Sequence, residues 1–489
     1  MKTRILLFLL STLFLTPSLH PQDEEGNLIL PTLSVSENSR YLVRENGKPF
    51  LWLGDTAWEL FHRLGREEAD LYLQTRSEQG FSIIQAVILA EIDGIRTPNV
   101  YGETPFKNLE ALEPNEAYFK HVDYIVNQAA SNGLFIGLLP TWGDKVFSEH
   151  PGAGPVIFNQ ENARSFGEFL GKRYKNSPVV WILGGDRNPA NEEVEAIWRA
   201  MADGLRTGDE DTHLITYHPR GAANSATWFH EADWLDLNMY QSGHAKRGNT
   251  LILDLAEENY QKKPVKPFVE GEPAYEDIPV AFWEFIDWDT ESKIPPEALT
   301  EGGIIRDTAH FQKGYFNAYD IRVHAYWNLL SGACGYTYGN NAIWQMFKPG
   351  LPLVIPTLMD WRAALKRPGA EDIRHIKKLF EARRFQDLIP QPDLVIRKNP
   401  KDETYIASAI TADHMLILAY SPTSESFKIN TEQIHDKDLW AYWYNPRDGK
   451  STLIGQLEPT TSQKFTPPQG EGQDWVLMVQ ANSAGLDSL

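Results

Sequence analysis

The sequence predicts an α/β chain: a (β/α)8 TIM barrel followed by a small all-β sandwich domain. Three observations predict it. Short apolar runs alternate with longer helical patterns eight times between about residues 50 and 345. Those runs are apolar throughout rather than alternating, the pattern of parallel strands covered on both faces. Near residue 388 the texture changes to short strands punctuated by turns.

The elements follow in order. PFLWLGDTAW (49–58) is the first strand, and REEADLYLQTRSEQG the first helix, stopped by Gly80. FSIIQAVIL (81–89) is the second strand, followed by a helix in NEAYFKHVDYIVNQAASNG that Gly133 ends. LFIGLLPTW (134–142) is the third strand, and VVWILGG (179–185) the fourth, after the helix ENARSFGEFLGKRYK. A helix over 192–205 leads to HLITYHP, the fifth strand. A helical turn over 225–231 leads to WLDLNMYQSGH, the sixth. KPFVEGEPAYE (266–276) is the seventh; after a long insertion and a helix over 316–331, CGYTYG is the eighth. Eight such repeats specify a closed barrel better than an open doubly wound sheet. The open sheet would want a Gly-rich phosphate turn after its first strand, where this chain has Gly54-Asp55-Thr56-Ala57-Trp58. From residue 388, TYIASAI, HMLILAYS, ESFKIN, LWAYWYNP, KSTLIGQ, QKFTPP and DWVLMVQ read as the strands of a sandwich over 388–482.

Composition narrows the function. The 489 residues, 42% hydrophobic and 23% charged, are ordinary globular material, enough for one large domain and one smaller. The net charge of −20 repels phosphate backbones and anionic membranes, which excludes nucleic acid as a partner while leaving room for an acidic sugar in a local Arg pocket. Met1-Lys2-Thr3-Arg4 followed by ILLFLLSTLFL reads as an export signal over residues 1–22, implying secretion or a periplasmic location. No later segment looks transmembrane, so no membrane insertion is expected after signal removal. The single cysteine, Cys334, lies in an apolar run and reads as buried and inert; it excludes internal disulfides and Cys-based metal clusters. The barrel domain is then 23–387.

A barrel of this type carries its chemistry at the C-terminal ends of its strands. There the sequence places Asp55 and Trp58, Gln85 with Glu91 and Asp93, Trp142, then Asp186, Arg187 and Asn188, His218, Gln241 and His244, the stretch from Glu270 to Glu276, and Tyr338. Asp186 follows Gly184-Gly185 and Glu272 follows Gly271, each directly after a strong apolar strand. Strands four and seven face each other across the barrel mouth, so two carboxyl groups can share one cleft. Glycoside hydrolysis needs that arrangement: one acid protonates the leaving oxygen, and a carboxylate roughly 5–5.5 Å away attacks the anomeric carbon in a retaining mechanism. Asp186 is assigned as acid/base and Glu272 as nucleophile, with Arg187, Asn188 and Tyr275 as partners. Glu270 shares parity with Glu272 and is the alternative nucleophile. Three other readings compete: strand-end acids that merely cap the next helix, a noncatalytic carbohydrate-binding barrel, and a metal-dependent hydrolase using His218 and His244. The last would also want His-x-His on strand one and an Asp on strand eight, and has neither, so no metal and no cofactor is expected.

The motifs LWLGDTAWELFHRL, QAVILAE, NEAYFKHVDYIV, GLLPTWGDK, WILGGDRNP, HLITYHPRG, WLDLNMYQSGH and VEGEPAYE, in this order over about 50–345, resemble the apiosidase-like family of glycoside hydrolases. YWYNPRDG through DWVLMVQ resembles the module often attached to it, labelled a putative collagen-binding domain. The resemblance implies a retaining, exo-leaning hydrolase of plant or algal cell-wall polysaccharide; the activity characterised in the family removes apiose linked to galacturonic acid in pectic side chains. It implies Asp186 as acid/base, Glu272 as nucleophile, and Asp55, Gln85, Trp142, His218, Gln241, Tyr275 and Tyr338 on the pocket wall; Trp58, Arg187 and Asn188 complete the expected substrate-binding set. Strand four ends in Gly-Asp where commoner retaining barrels have Asn-Glu, so the acid is one methylene shorter. In the C-terminal module, Trp440, Trp443 and Trp475 either bind polysaccharide or pack in its core, and their strand-like setting favours packing.

Overall fold

The structure, a computed structural model, describes residues 32–148, 154–284, 312–469 and 473–484. The expected export signal lies outside them. Eight strands alternate with eight helices: β1 (Trp52–Thr56), α1 (Arg66–Glu78), β2 (Ile83–Leu89), α2 (Glu116–Ser131), β3 (Phe135–Thr141), α3 (Gln160–Tyr174), β4 (Val179–Gly184), α4 (Glu192–Asp209), β5 (Ile215–His218), α5 (Ala226–Phe229), β6 (Asn238–Gln241), α6 (Leu251–Gln261), β7 (Phe268–Glu270), α7 (Ala318–Leu330), β8 (Gly335–Tyr338) and α8 (Pro368–Ala382). Parallel ladders run β5-β4-β3-β2-β1-β8-β7-β6.

Asp236 closes the seam between β5 and β6. Its N–H donates to Ile215 O at 2.9 Å, and its carboxylate accepts from Ile215 N–H at 2.6 Å. Arg206 of α4 holds that carboxylate at 2.6 Å. Each strand then divides its side chains between two cores. Trp52, Ile83, Phe135, Ile182, Met239 and Val269 fill the barrel interior. Leu53, Ile84, Ile136, Trp181, Tyr240 and Tyr336 face the helices. With both faces dry, no polar alternation survives in the sequence.

Two features were not visible in the strand-and-helix reading. A three-stranded antiparallel sheet over Leu33–Val35, Leu42–Arg44 and Pro49–Phe50 precedes the barrel. Its Leu33, Leu42 and Phe50 join Phe135, Leu214 and Leu237 in the interior core, and so plug the end of the barrel away from the cleft. Helices α6 and α8 were also passed over, although α8 begins with Pro368 in its first turn and buries Ile373, Ile376, Leu379 and Phe380 at helical spacing.

The C-terminal domain consists of β9 (Leu388–Pro390), β10 (Ala407–Thr411), β11 (Leu416–Ser421), β12 (Phe427–Ile429), β13 (Leu439–Asn445), β14 (Lys450–Leu457), β15 (Gln463–Phe465) and β16 (Trp475–Ala481). Six form an antiparallel sheet in the order β9-β10-β11-β16-β13-β14, and β12 pairs with β15. Alternation splits this sheet as well: Ala409, Leu418, Tyr420 and Met478 belong to the core shared with the barrel helices, whereas Ile410, Ile417, Trp443 and Trp475 form the domain's own core. Trp443 and Trp475 are therefore packing residues; Trp440 is half-buried, its Nε1–H on Asn482 Oδ1 at 3.0 Å.

The domain is built onto α7. Tyr326 stacks flat on Tyr420, ring centroids 4.6 Å apart, and Trp327 Nε1–H donates to Tyr405 O at 3.0 Å. Arg322 donates two bonds to the Asp474 carboxylate, at 2.7 and 2.9 Å, and a third to Asp372 of α8 at 2.7 Å. All three side chains are buried. Removing the cation leaves two buried carboxylates short of a partner. Arg322→Ala is expected to cost about 3–5 kcal/mol of stability, read as a lower denaturant midpoint. Arg322→Lys, which keeps the charge and loses the fork, should fall between it and the parent.

Candidate active site

The chain turns sharply after β4. Gly184, Gly185 and Asp186 all lie at positive φ, 87°, 105° and 49°. A Cβ on Gly184 would sit 2.2 Å from His218 O, and one on Gly185 2.8 Å from the Trp142 ring, so neither position admits a side chain. The two glycines let the turn press between β3 and β5: Gly143 N–H reaches Gly185 O at 3.1 Å, and Gly185 N–H reaches His218 O at 3.0 Å. Asp186 emerges from this turn with 31% of its side chain exposed, toward the cleft.

A second bend delivers the other acid. The β7 ladder stops at Glu270, and residues 271–272 form a bend. Gly271 N–H donates to Tyr240 O at 2.8 Å, while Gln85 reaches across the barrel and donates through Nε2 to Gly271 O at 2.8 Å. The bend breaks the shared parity of Glu270 and Glu272. Glu270 points away from the cleft, fully buried, accepts from Ser242 N–H at 2.9 Å, and is pushed far above the usual carboxyl range by burial. Its side chain lies on the helix side of the sheet, which sets Glu270 apart from the cleft that Glu272 enters.

Glu272 enters the cleft between two imidazoles. Its Oε1 lies 3.2 Å from His244 Nε2 and its Oε2 3.1 Å from His218 Nε2. The tautomers are set from behind: Asp186 N–H donates to His218 Nδ1 and Tyr275 N–H to His244 Nδ1, both at 3.3 Å. With Nδ1 accepting, each ring turns its Nε2 toward Glu272. Burial alone would raise the Glu272 carboxyl, but the His218 and His244 rings beside it outweigh it and hold it below its ordinary value. Asp186 moves the opposite way, raised first by burial and then by the charge on Glu272, against Arg187, His218 and Arg220. Two carboxyl groups in one cleft are thus driven apart, Glu272 downward and Asp186 upward to about 6.

Aromatic rings wall this pair. Trp58 packs on Trp142 at 5.1 Å and edge-on to His218 at 5.3 Å; its Nε1–H donates to Tyr275 OH at 3.1 Å. Tyr275 packs on His244 at 4.6 Å. Trp142 Nε1 and Gln241 Oε1 are buried without a protein partner among the described residues, one donor and one acceptor for a ligand. Arg187 Nη1 donates to Asp186 O at 2.7 Å, and Asn188 Oδ1 accepts from Arg220 N–H at 2.9 Å, tying the β4 and β5 loops together.

Two residues expected on the pocket wall are elsewhere, for one reason. Along β1 and β8, Trp52, Gly54 and Thr337 turn inward, so Asp55 and Tyr338 turn outward. Asp55 accepts from Tyr72 OH and Arg76 Nε, both at 2.5 Å, in the dry space under α1. Tyr338 OH donates to Glu276 Oε2 at 2.7 Å, likewise among helices. Gln85 is inside but at the floor, acting through Gly271. Glu91, noted in sequence only as a strand-end acid, stands close enough to Asp186 and Arg187 to feel both. Burial pushes its carboxyl up to about 8; Arg187 opposes, while Asp186, Asp144 and Glu59 add to the rise. His218 and His244 both turn Nε2 toward Glu272.

With this geometry in view, the family can be stated. The apiosidase-like catalytic domain matches residues 36–387. The chain belongs to the apiosidase-like family. The module described as a putative collagen-binding domain of a collagenase matches residues 389–480, in register with the β9–β16 domain. Among solved structures, the chain is similar to one described as a glycoside hydrolase, at 31% identity and TM-score 0.81, covering 94% of this chain and 98% of that one. It is also similar to a glycoside hydrolase family 5 protein from Bacteroides vulgatus ATCC 8482, at 30% identity and TM-score 0.79, covering 94% of each chain. The comparison with curated proteins finds no match.

The opposed shifts of the two acids have a direct check. Asp186 owes part of its elevation to the Glu272 charge, so Glu272→Gln should bring the Asp186 titration downward. Loss of one donor in His244→Phe should carry Glu272 upward. Site-specific 13C NMR titration of the labelled carboxyl groups reads both shifts.

Proposed function

We propose that this member of the apiosidase-like family is a retaining glycoside hydrolase, with Glu272 as nucleophile and Asp186 as acid and then base. The observation that carries the proposal is Glu272 set between His218 Nε2 and His244 Nε2, at 3.1 and 3.2 Å, in one cleft with Asp186, the two carboxyl groups being driven in opposite directions. In the first step a Glu272 oxygen bonds to the anomeric carbon, the glycosidic C–O bond breaks, and the Asp186 proton passes to the leaving oxygen. In the second, Asp186 takes a proton from water, the water oxygen bonds to the anomeric carbon, and Glu272 is released. His218 and His244 draw charge from Glu272 in both steps. Trp58, Trp142 and Tyr275 exclude water and pack the sugar's apolar C–H faces.

The substrate we propose is a plant or algal cell-wall polysaccharide, with apiose on pectic side chains of rhamnogalacturonan II type as the specific case. Family membership supports it, as does the tight aromatic pocket, which suits a small furanose. Arg187 and Arg220, both near enough to Asp186 to lower its pKa on a chain of net charge −20, suit a uronic acid on the leaving side. Residues 1–22 fit export of the enzyme to the periplasm or beyond.

Asp186→Asn and Glu272→Gln should each lower kcat/KM on a pectic oligosaccharide by about 10²–10⁴-fold, measured as released monosaccharide. Near-parental turnover in either variant would end the assignment. Because activity needs Glu272 ionised and Asp186 protonated, kcat/KM should be bell-shaped in pH. It should fall in acid as the Glu272 side of the pair takes up a proton, and in alkali as the Asp186 side loses one. The alkaline limb should vanish in Asp186→Asn. A 2-deoxy-2-fluoro glycoside should leave a covalent adduct on Glu272 in intact-protein mass spectrometry; hydrolysis with inversion and no adduct would refute retention.

A further inference from the structure

Trp283 stands apart from the other tryptophans. Among the described residues it is the one classed as exposed, at 45%, while Trp58, Trp142, Trp181 and Trp327 are buried to 2% or less. A single exposed aromatic ring is ordinary on a protein surface, and what sets Trp283 apart is its tie to the cleft. Its position is fixed by the machinery itself. Ala281 N–H donates to His244 O at 2.9 Å, and Ala281 sits at φ 52°, turning the chain into the short 3-10 segment Phe282–Glu284. Phe282 packs on the His244 ring at 5.8 Å, and Trp283 packs edge-on to Phe282 at 5.3 Å. Two ring-to-ring steps therefore lead from the imidazole that holds the nucleophile out to an exposed indole. Glu284 N–H returns to Ala281 O at 3.0 Å, and Glu284 pairs with Lys313, so the turn carrying Trp283 is anchored at both ends.

We propose that Trp283 is a substrate-stacking residue, whose indole takes the face of a sugar unit beyond the one whose bond is cut. This deepens the hydrolase reading and rests on it. A pyranose or furanose ring presents C–H bonds on one face and hydroxyls at its edges, so an indole that is apolar on its face and wet at its rim is its complement. The inner wall of Trp58, Trp142 and Tyr275 is already enclosed and serves the unit being cleaved. Trp283 lies outside that wall, and a longer chain is needed to reach it. Binding energy from such a remote unit lowers KM for long substrates and leaves short ones unaffected.

The test compares Trp283→Ala and Trp283→Tyr with the parent on two probes: a rhamnogalacturonan II oligosaccharide and the apiosyl-galacturonic acid disaccharide. The expected result is a KM for the oligosaccharide raised about tenfold in Trp283→Ala, with kcat nearly unchanged and Trp283→Tyr recovering most of the loss. Disaccharide kinetics should not change. Equal losses on both probes, or none on either, would overturn the proposal while leaving the hydrolase reading intact. A binding measurement separates the two ideas further: calorimetric titration of the oligosaccharide into Glu272→Gln, with and without Trp283→Ala. Weaker binding in the double variant supports Trp283 whatever the reaction proves to be; unaltered binding removes it. If the parent protein hydrolyses neither probe and binds neither, both readings fall together.

Discussion

Everything in this cleft depends on a carboxylate kept charged in a dry place. Glu272 is almost wholly out of water, where an ionised acid is costly unless donors replace its solvation. His244 Nε2 hydrogen-bonds one of its oxygens and His218 Nε2 stands 3.1 Å from the other, each ring being fixed from behind by a backbone amide. The negative charge thus retained does a second thing: after burial, it raises the Asp186 carboxyl. One electrostatic arrangement therefore prepares both partners. Removing either imidazole disturbs Asp186 as well as Glu272, and the two groups titrate as a pair.

The arrangement reaches well beyond the cleft. Glu272 follows the shortest barrel strand, β7, which is flanked by β6 and β8. Both neighbours are tied to α7 through one side chain: Asn328 accepts from Tyr240 OH of β6 and donates to Gly335 O of β8 at 2.6 Å. That helix is also the one on which the C-terminal sheet rests, through Arg322, Tyr326 and Trp327. The second domain thus packs the back of the helix that braces the nucleophile strand. Its buried Trp443 and Trp475 fit this bracing role better than polysaccharide capture.

Much of this was legible in the amino-acid order. Eight two-sided apolar runs leave little choice but a parallel barrel, and Gly-Gly-Asp and Gly-Glu-Pro at opposite strand ends pick out the acids. What was not legible is direction. Asp55 and Tyr338 stand at strand ends as Asp186 does, and only the inward packing of Trp52 and Thr337 shows that their neighbours turn outward. A dry strand has no polar face to betray its parity. The bend at Gly271 is similar: sequence shows a glycine before Glu272 and a proline after it, but the Gln85 bond that fixes the bend comes from a residue 186 positions away. The terminal sheet at the barrel floor was missed because its strands are two or three residues long, too short for periodicity to register.

The shorter acid at strand four raised a question of reach, since Asp lacks the methylene that Glu supplies in commoner retaining barrels. The β4 turn answers it through the backbone. Three consecutive left-handed residues carry Asp186 up against β5, close enough for its own N–H to bond His218 Nδ1 at 3.3 Å. The opposite nitrogen of that ring is 3.1 Å from Glu272. The His218 ring thus lies between the Asp186 backbone and Glu272. The two glycines that make the turn possible are therefore as much a part of the cleft's architecture as the acid that follows them.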